Sequence, residues 1–199
     1  MSKISLAPDA SGTGIFTIAS PNSNTNRTLT LPDNAGTIIT SGTAGTVLQV
    51  VSTTKTDTFT TTSSSFVDLT GVSVSITPTS ASSKIMIIAT LMAGADVAST
   101  TFMSRLVRDS TSIALGDSAG SRDRVTFGTD DMITANTNLS IALTFLDSPS
   151  TTSATTYKVQ VAQTRTAGGT LTVNRDGNDS DSAQVPRGSS TITVMEIAG

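Results

Sequence analysis

FVDLTGVSVSITPTSASSKIMIIATLMAG, residues 66–94, decides the fold. In its first half Val72, Val74 and Ile76 fall on one side of an extended chain and Ser73 and Ser75 on the other. That period of two is the pattern of a half-buried antiparallel strand. Pro78 and the Ser/Thr run at 79–83 then break it. Residues 84–94 are almost continuously apolar, which fits a strand covered on both faces or a short buried helix. The isoleucines, the flanking Ser82-Ser83 and Gly94 favour the strand.

The same alternation extends in both directions. TVLQVVS (46–52) and TDTFTT (56–61) precede the stretch. TFMSRLVRD and TSIALGD follow as a pair around Asp109-Ser110. NLSIALTFLD places Leu139, Ile141, Leu143 and Phe145 on one face, and TTYKVQVAQT does so with Tyr157, Val159 and Val161. TLTVNRD and STITVMEIA complete the set. Turn-rich segments separate these runs, and no segment has helical periodicity. The expected fold is all-β: a short-stranded N-terminal arm followed by an antiparallel β-sandwich or jelly roll of about eight to ten strands.

Composition agrees. Of 199 residues, 36% are hydrophobic and 14% charged, against about 25% charged in ordinary domains. Ser and Thr fill the difference at about a third of the chain, and they suit strands and turns rather than helices. The net charge of −3 supplies no basic surface for nucleic acid. The longest apolar run, Ile85 to Ala95, is too short for a membrane helix, so no membrane insertion is expected. The opening MSKISLAPDASG has no apolar signal core, which points to synthesis in a cytoplasm.

Residues 1–45 differ from 46–199. They hold Pro8, Pro21 and Pro32 and short alternating pieces spaced near ten residues apart. In NRTLTLPDNAGTIITSG (26–42), Leu29 and Leu31 alternate with threonines, and a Pro-Asp-Asn-Ala-Gly turn leads to Ile38-Ile39. Two strands this short are marginal in water, so their apolar side needs a cover. Neighbouring copies of the chain would pool Ile15, Phe16, Ile18, Leu29, Leu31, Ile38 and Ile39 into a shared core, or a docking surface would cover them; a disordered polar arm is the alternative, since Ser, Asn, Gly and Pro suit disorder. These seven are the candidate attachment and packing residues. The expected division is an arm for attachment or trimerisation at 1–45 and a head domain at 46–199.

Catalytic patterns are sparse. With no Cys and no His, thiol nucleophiles, thiolate metal sites and the commonest general base are excluded. Gly116-Asp117-Ser118-Ala119-Gly120 matches G-x-S-x-G, but there is no histidine to act as base and no helix pattern follows. It reads as a loop. Asp176-Gly177-Asn178-Asp179-Ser180-Asp181 concentrates oxygen ligands without the EF-hand order; it reads as a solvated loop or a weak cation site. Asp130 and Asp131 are adjacent and would point to opposite faces of a strand, and aromatics are 4% with no Trp, which disfavours a sugar cleft. No cofactor, catalytic residue or metal site is expected.

The arm LAPDASGTGIFTIASPNSNTNRTLTLPDNAGTIITSGT, with its TLTLPD…GT piece, resembles a segment of tail-fibre-like proteins of marine and cyanobacterial bacteriophages. VLQVVSTTKTDTFTTTSSSFVDLTGVSVSITPTSASSKIMI resembles the domain that often follows it, and STITVMEIAG is similar to the last strand of trimeric jelly-roll heads of the tumour-necrosis-factor or C1q kind. The resemblance implies a homotrimer on a virion surface. A 45-residue arm leading straight to one head departs from a long tail fibre, which leaves head decoration and tail fibre both open. The implied partners are further copies of the chain, capsid or tail proteins, and a host surface glycan if the loops at 116–124 or 174–189 bind a receptor. A carbohydrate-binding module is the alternative from another class, and a spike-type hydrolase a third.

Overall fold

A computed structural model describes residues 11–15, 17, 24, 26, 43–129, 135, 137–163 and 169–199. The chain divides into two compact units, Met1–Thr37 and Ile38–Gly199. Among the described residues of the second are eleven strands: β1 (Val47–Lys55), β2 (Phe59–Thr61), β3 (Val67–Ile76), β4 (Lys84–Ala95), β5 (Phe102–Arg108), β6 (Thr111–Ile113), β7 (Phe127–Thr129), β8 (Asn138–Asp147), β9 (Thr155–Ala162), β10 (Leu171–Val173) and β11 (Ser190–Ile197). No helix occurs among the described residues.

All pairings are antiparallel. β4 pairs with β8 along one side. Along its other side it pairs with β11 over Lys84–Thr90 and with β10 over Ala93–Ala95. β10 and β11 therefore occupy one row. β1 and β2 occupy the next, pairing with β11 and β10 respectively. In the second sheet β3 pairs with β9 and β9 with β5, and β6 and β7 share the row beyond β5. The eleven strands thus make eight rows. Numbered along the chain, they run 1-8-3-6 in one sheet and 2-7-4-5 in the other, which is a jelly roll.

The core follows from the alternation. Ile85, Ile87, Ala89, Leu91 and Ala93 of β4 are buried together with Ile141 and Leu143 of β8 and Ile192 and Val194 of β11. From the second sheet Val72, Val74 and Ile76 of β3, Tyr157, Val159 and Val161 of β9, and Phe102 and Leu106 of β5 join the same cluster. The expectation that β4 is covered on both faces is not met within the single chain: Met86, Ile88 and Met92, on its outer side, are only half-buried. Two glycines within the strands are required where they stand, one by its backbone and one by its neighbours. Gly71 sits at φ +87 where the β3–β9 register shifts, a conformation that costs other residues a steric penalty. At Gly94 an added Cβ would lie within 3 Å of Thr172 Oγ1, the Arg175 carbonyl and Asn138 Oδ1.

Two buried carboxylates tie the sheets near the end where the chain enters β1. Asp147, closing β8, accepts two bonds from Arg108 Nη1 (3.0 and 2.9 Å) and one from the Tyr157 hydroxyl (2.7 Å). Burial, and then the adjacent Asp147 carboxylate, raise the Tyr157 hydroxyl well above its ordinary range. Glu196 of β11 is fully buried; its carboxylate accepts Gln49 Nε2 (2.6 Å), the Thr79 N–H (2.7 Å) and the Thr79 hydroxyl (2.7 Å). Burial pushes this carboxyl up, but the hydrogen bonds to its charged form outweigh burial and hold it down to about 2.

A depressed carboxyl stabilises the fold above its unfolded value, near 4.5, and that contribution is lost as pH falls towards about 2. Glu196→Gln should lower stability at pH 7 by about 2–3 kcal/mol through its charge-assisted bonds. The gap to the wild-type chain should narrow between about pH 4.5 and pH 2. Urea unfolding of both chains at pH 7 and pH 2.5 checks this; a gap that stays constant refutes the role of the charge.

Candidate functional site

Two long loops, 114–126 and 174–189, stand out from the sandwich, and both interrupt a row in the same way. After β6 and after β10 the chain turns out of the sheet at a left-handed residue, Ala114 (φ 54) and Asn174 (φ 64). Each loop is pinched at its stalk by one backbone bond: Gly116 N–H to the Val125 carbonyl (3.2 Å), and Gly188 N–H to the Asn174 carbonyl (3.1 Å). The chain then rejoins the row it left, as β7 and as β11.

Interrupting a row leaves backbone groups on the neighbouring strand without their rung, and such groups are costly to bury unpaired. Side chains replace the rungs. The Leu106 N–H donates to Thr126 Oγ1 (2.9 Å), whose hydroxyl donates to the Ile113 carbonyl (3.3 Å). The Met92 N–H donates to Ser190 Oγ (3.3 Å), whose hydroxyl donates to Asn174 Oδ1 (2.6 Å). Asn174 then donates its amide to the carbonyls of Lys55 (3.0 Å) and Asp57 (2.9 Å), closing the break between β1 and β2 in the adjacent row. Thr126, Asn174 and Ser190 carry no pattern that singles them out as functional. The one signal is an asparagine directly after a strand, a residue type enriched at positive φ.

In the first loop Asp117 to Arg124 are exposed. Ser118, the centre of the G-x-S-x-G match, lies in this loop and not on a strand-to-helix turn. The described lysines are engaged elsewhere: Lys55 with Asp57, Lys84 with Ser148 and Lys158 with Asp68. In the second loop Asp179 is gripped by Arg187 (Nε–Oδ1 2.9 Å, Nη2–Oδ2 2.7 Å), with Arg175 at 3.8 Å. Its N–H donates to Asp176 Oδ1 (2.7 Å). Guanidinium groups thus occupy the place a cation would take at 176–181. No cluster of three metal-ligating side chains occurs among the described residues. Asp179, Ser180, Asp181, Ser182, Val185 and Arg187 line an open cleft of about 270 Å³. Asp130 and Asp131 lie outside the described residues, as do Phe16, Ile18, Leu29, Leu31, Ile38 and Ile39 of the arm. Ile15 is described and is 92% exposed.

No protein-family model matches the chain, and no curated protein matches it. Among solved structures it is similar to infectious bursal disease virus of the Gx strain (15% identity, TM-score 0.41, 75% of this chain and 37% of that one) and of the Gt strain (15%, 0.41, 76% and 38%). It is also similar to T=1 particles derived from infectious bursal virus (13%, 0.41, 75% and 36%). The chain spans less than two-fifths of the length of these chains.

Asn174→Ala removes three buried hydrogen bonds and places a Cβ-bearing residue without a polar side chain at positive φ. It should cost about 3 kcal/mol in urea unfolding. Replacing 177–186 by a short Gly/Ser linker should cost under about 1 kcal/mol, because loop closure depends only weakly on length. The reverse order of effects would show that the loop interior, not its stalk, carries the stability.

Proposed function

We propose that the chain is a non-enzymatic structural protein of a bacteriophage virion, a homotrimeric surface spike or capsid decoration held to the particle by its N-terminal arm. The observation that carries this reading is the build of the head. It is a rigid jelly roll on which two exposed loops are locked at their stalks, with no nucleophile paired to a base among the described residues. Binding segments on a rigid scaffold are the general way such folds present a surface to a partner. The arm supports the same reading through its TLTLPD…GT resemblance, and its alternating apolar residues need a cover that neighbouring copies or a docking surface would supply.

A second reading, a receptor- or glycan-binding tail-fibre module, is favoured by the cleft on the second loop. There carboxylates, hydroxyls and a guanidinium converge, the groups that hydrogen-bond to sugar hydroxyls. Binding of the full chain to a glycan array, lost in Asp181→Ala, would favour this reading over pure decoration.

Antibodies against 46–199 should label intact particles in immunogold electron microscopy. Gold over heads supports decoration and gold at tails supports a fibre. Purified particles that carry no gold, while the same antibodies detect the free chain, would overturn the virion assignment.

A further inference from the structure

The outer face of the β8–β4–β11–β1 sheet carries an apolar row that runs from edge to edge. Val50 pairs with Met195, Met195 with Met86, and Met86 with Leu146. Its two ends are the exposed members, Val50 at 56% and Leu146 at 49%, and its middle is half-buried. The sequence of β4 asks for cover on this side. Its run is apolar at both parities, as in strands buried on both faces, yet the single chain buries only one.

Charge narrows what the cover can be. On the outward positions of these four strands the sole ionisable side chain is Lys84, which donates to Ser148 (2.8 Å). The remaining positions are Gly, Ser, Thr, Asn, Ala, Val, Ile, Leu and Met. The outer face of the other sheet differs: there Asp68 accepts Lys158 and Gln160 (2.7 Å each), and Arg105 bonds Gln160 (2.9 Å) and stacks over Phe66. A charged partner gains nothing from the first face. A chain of net charge −3 meets its own copies with least repulsion through the face whose strands turn no carboxylate outward.

We infer that this face is the contact between copies of the chain, and that the contact is heterologous: the Val50 edge of one copy packs on the Leu146 edge of the next. The two exposed ends of the row lie on opposite edges of the sheet, so each copy offers one end to each of two neighbours. Such head-to-tail contacts close into a ring where the rotation between copies closes and grow into a filament where it does not; the ring of three is the trimer proposed above. The inference rests on that trimeric reading and adds where and how the copies meet.

Val50→Lys and Leu146→Lys point outward and leave the core alone. Each full-length variant alone should run as a monomer in native mass spectrometry, while the wild type runs as a trimer. Mixing the two should restore one intact contact, Leu146 of the first against Val50 of the second, and give a 1:1 heterodimer that grows no further. Ser75→Lys, on the other sheet's outer face, should remain trimeric. Variants that stay trimeric overturn the inference and leave the trimeric reading standing, with the arm holding the copies. Monomers whose mixture stays monomeric overturn the head-to-tail geometry. A monomeric wild type overturns both the inference and the trimeric reading, while the immunogold result decides the virion reading separately.

Discussion

The side-chain amide of Asn174 stands where two neighbouring rows of one sheet lose their ladder at the same level. The row of β10 and β11 is interior, flanked by β4 on one side and by β1 and β2 on the other. A loop leaving such a row cannot slip off an edge. It must climb out over a face, and every backbone group it abandons stays buried. Asn174 meets that demand by spanning the gap: it accepts from Ser190 and donates to two carbonyls of the next row. The long loop, the continuity of the core beneath it and the close approach at Gly94 all depend on this closure. Gly94 carries no side chain because Thr172, Arg175 and Asn138 converge where its Cβ would be.

Strands were legible because burial in a sandwich writes a period of two. The runs around Val72, Ile141, Val159 and Ile192 mark the inner face directly. What the period does not encode is which runs share a row. TLTVNRD and STITVMEIA read as separate strands, but they are one row interrupted by a loop. β7, three residues long, left no pattern at all. The loops themselves were legible from Gly, Asp and Ser, whereas their seals were not: Thr126 and Ser190 look like any other hydroxyl in a chain so rich in them. Glu196 was readable in principle. It falls in phase with Ile192 and Val194, and a carboxylate on the core side of a strand needs partners.

Low charge and few aromatics leave a fold that substitutes hydroxyls and amides for both. At the end of the sandwich where the chain enters β1, two buried carboxylates hold the sheets together through their hydrogen bonds. Asp147 joins β8 to Arg108 and Tyr157 of the opposite sheet. Glu196 joins β11 to the Thr79 turn that links the sheets. Each bonded carboxylate is specific about its partners' positions in a way that a Leu is not, which fixes how the sheets sit on one another.

The outer face of β4 divides accordingly. Near its C-terminal end Met92 lies against Gly188, so the second loop folds back over that part of the face. Nearer its start Met86 and Ile88 stay half-buried; Met86 lies between Met195 and Leu146, and Ile88 between Thr193 and Thr144, which offer only short side chains. A strand apolar at both parities is thus covered on one side by its own core and in part by its own loop. What remains is a band, uncharged apart from Lys84, too continuous across four strands to be scattered surface apolarity. The problem posed by the sequence of residues 1–45, apolar alternation in runs too short to be stable alone, has a counterpart on this face of the sandwich. In the trimer proposed above, copies of the same chain would cover both, with the charged outer face of the other sheet turned to water.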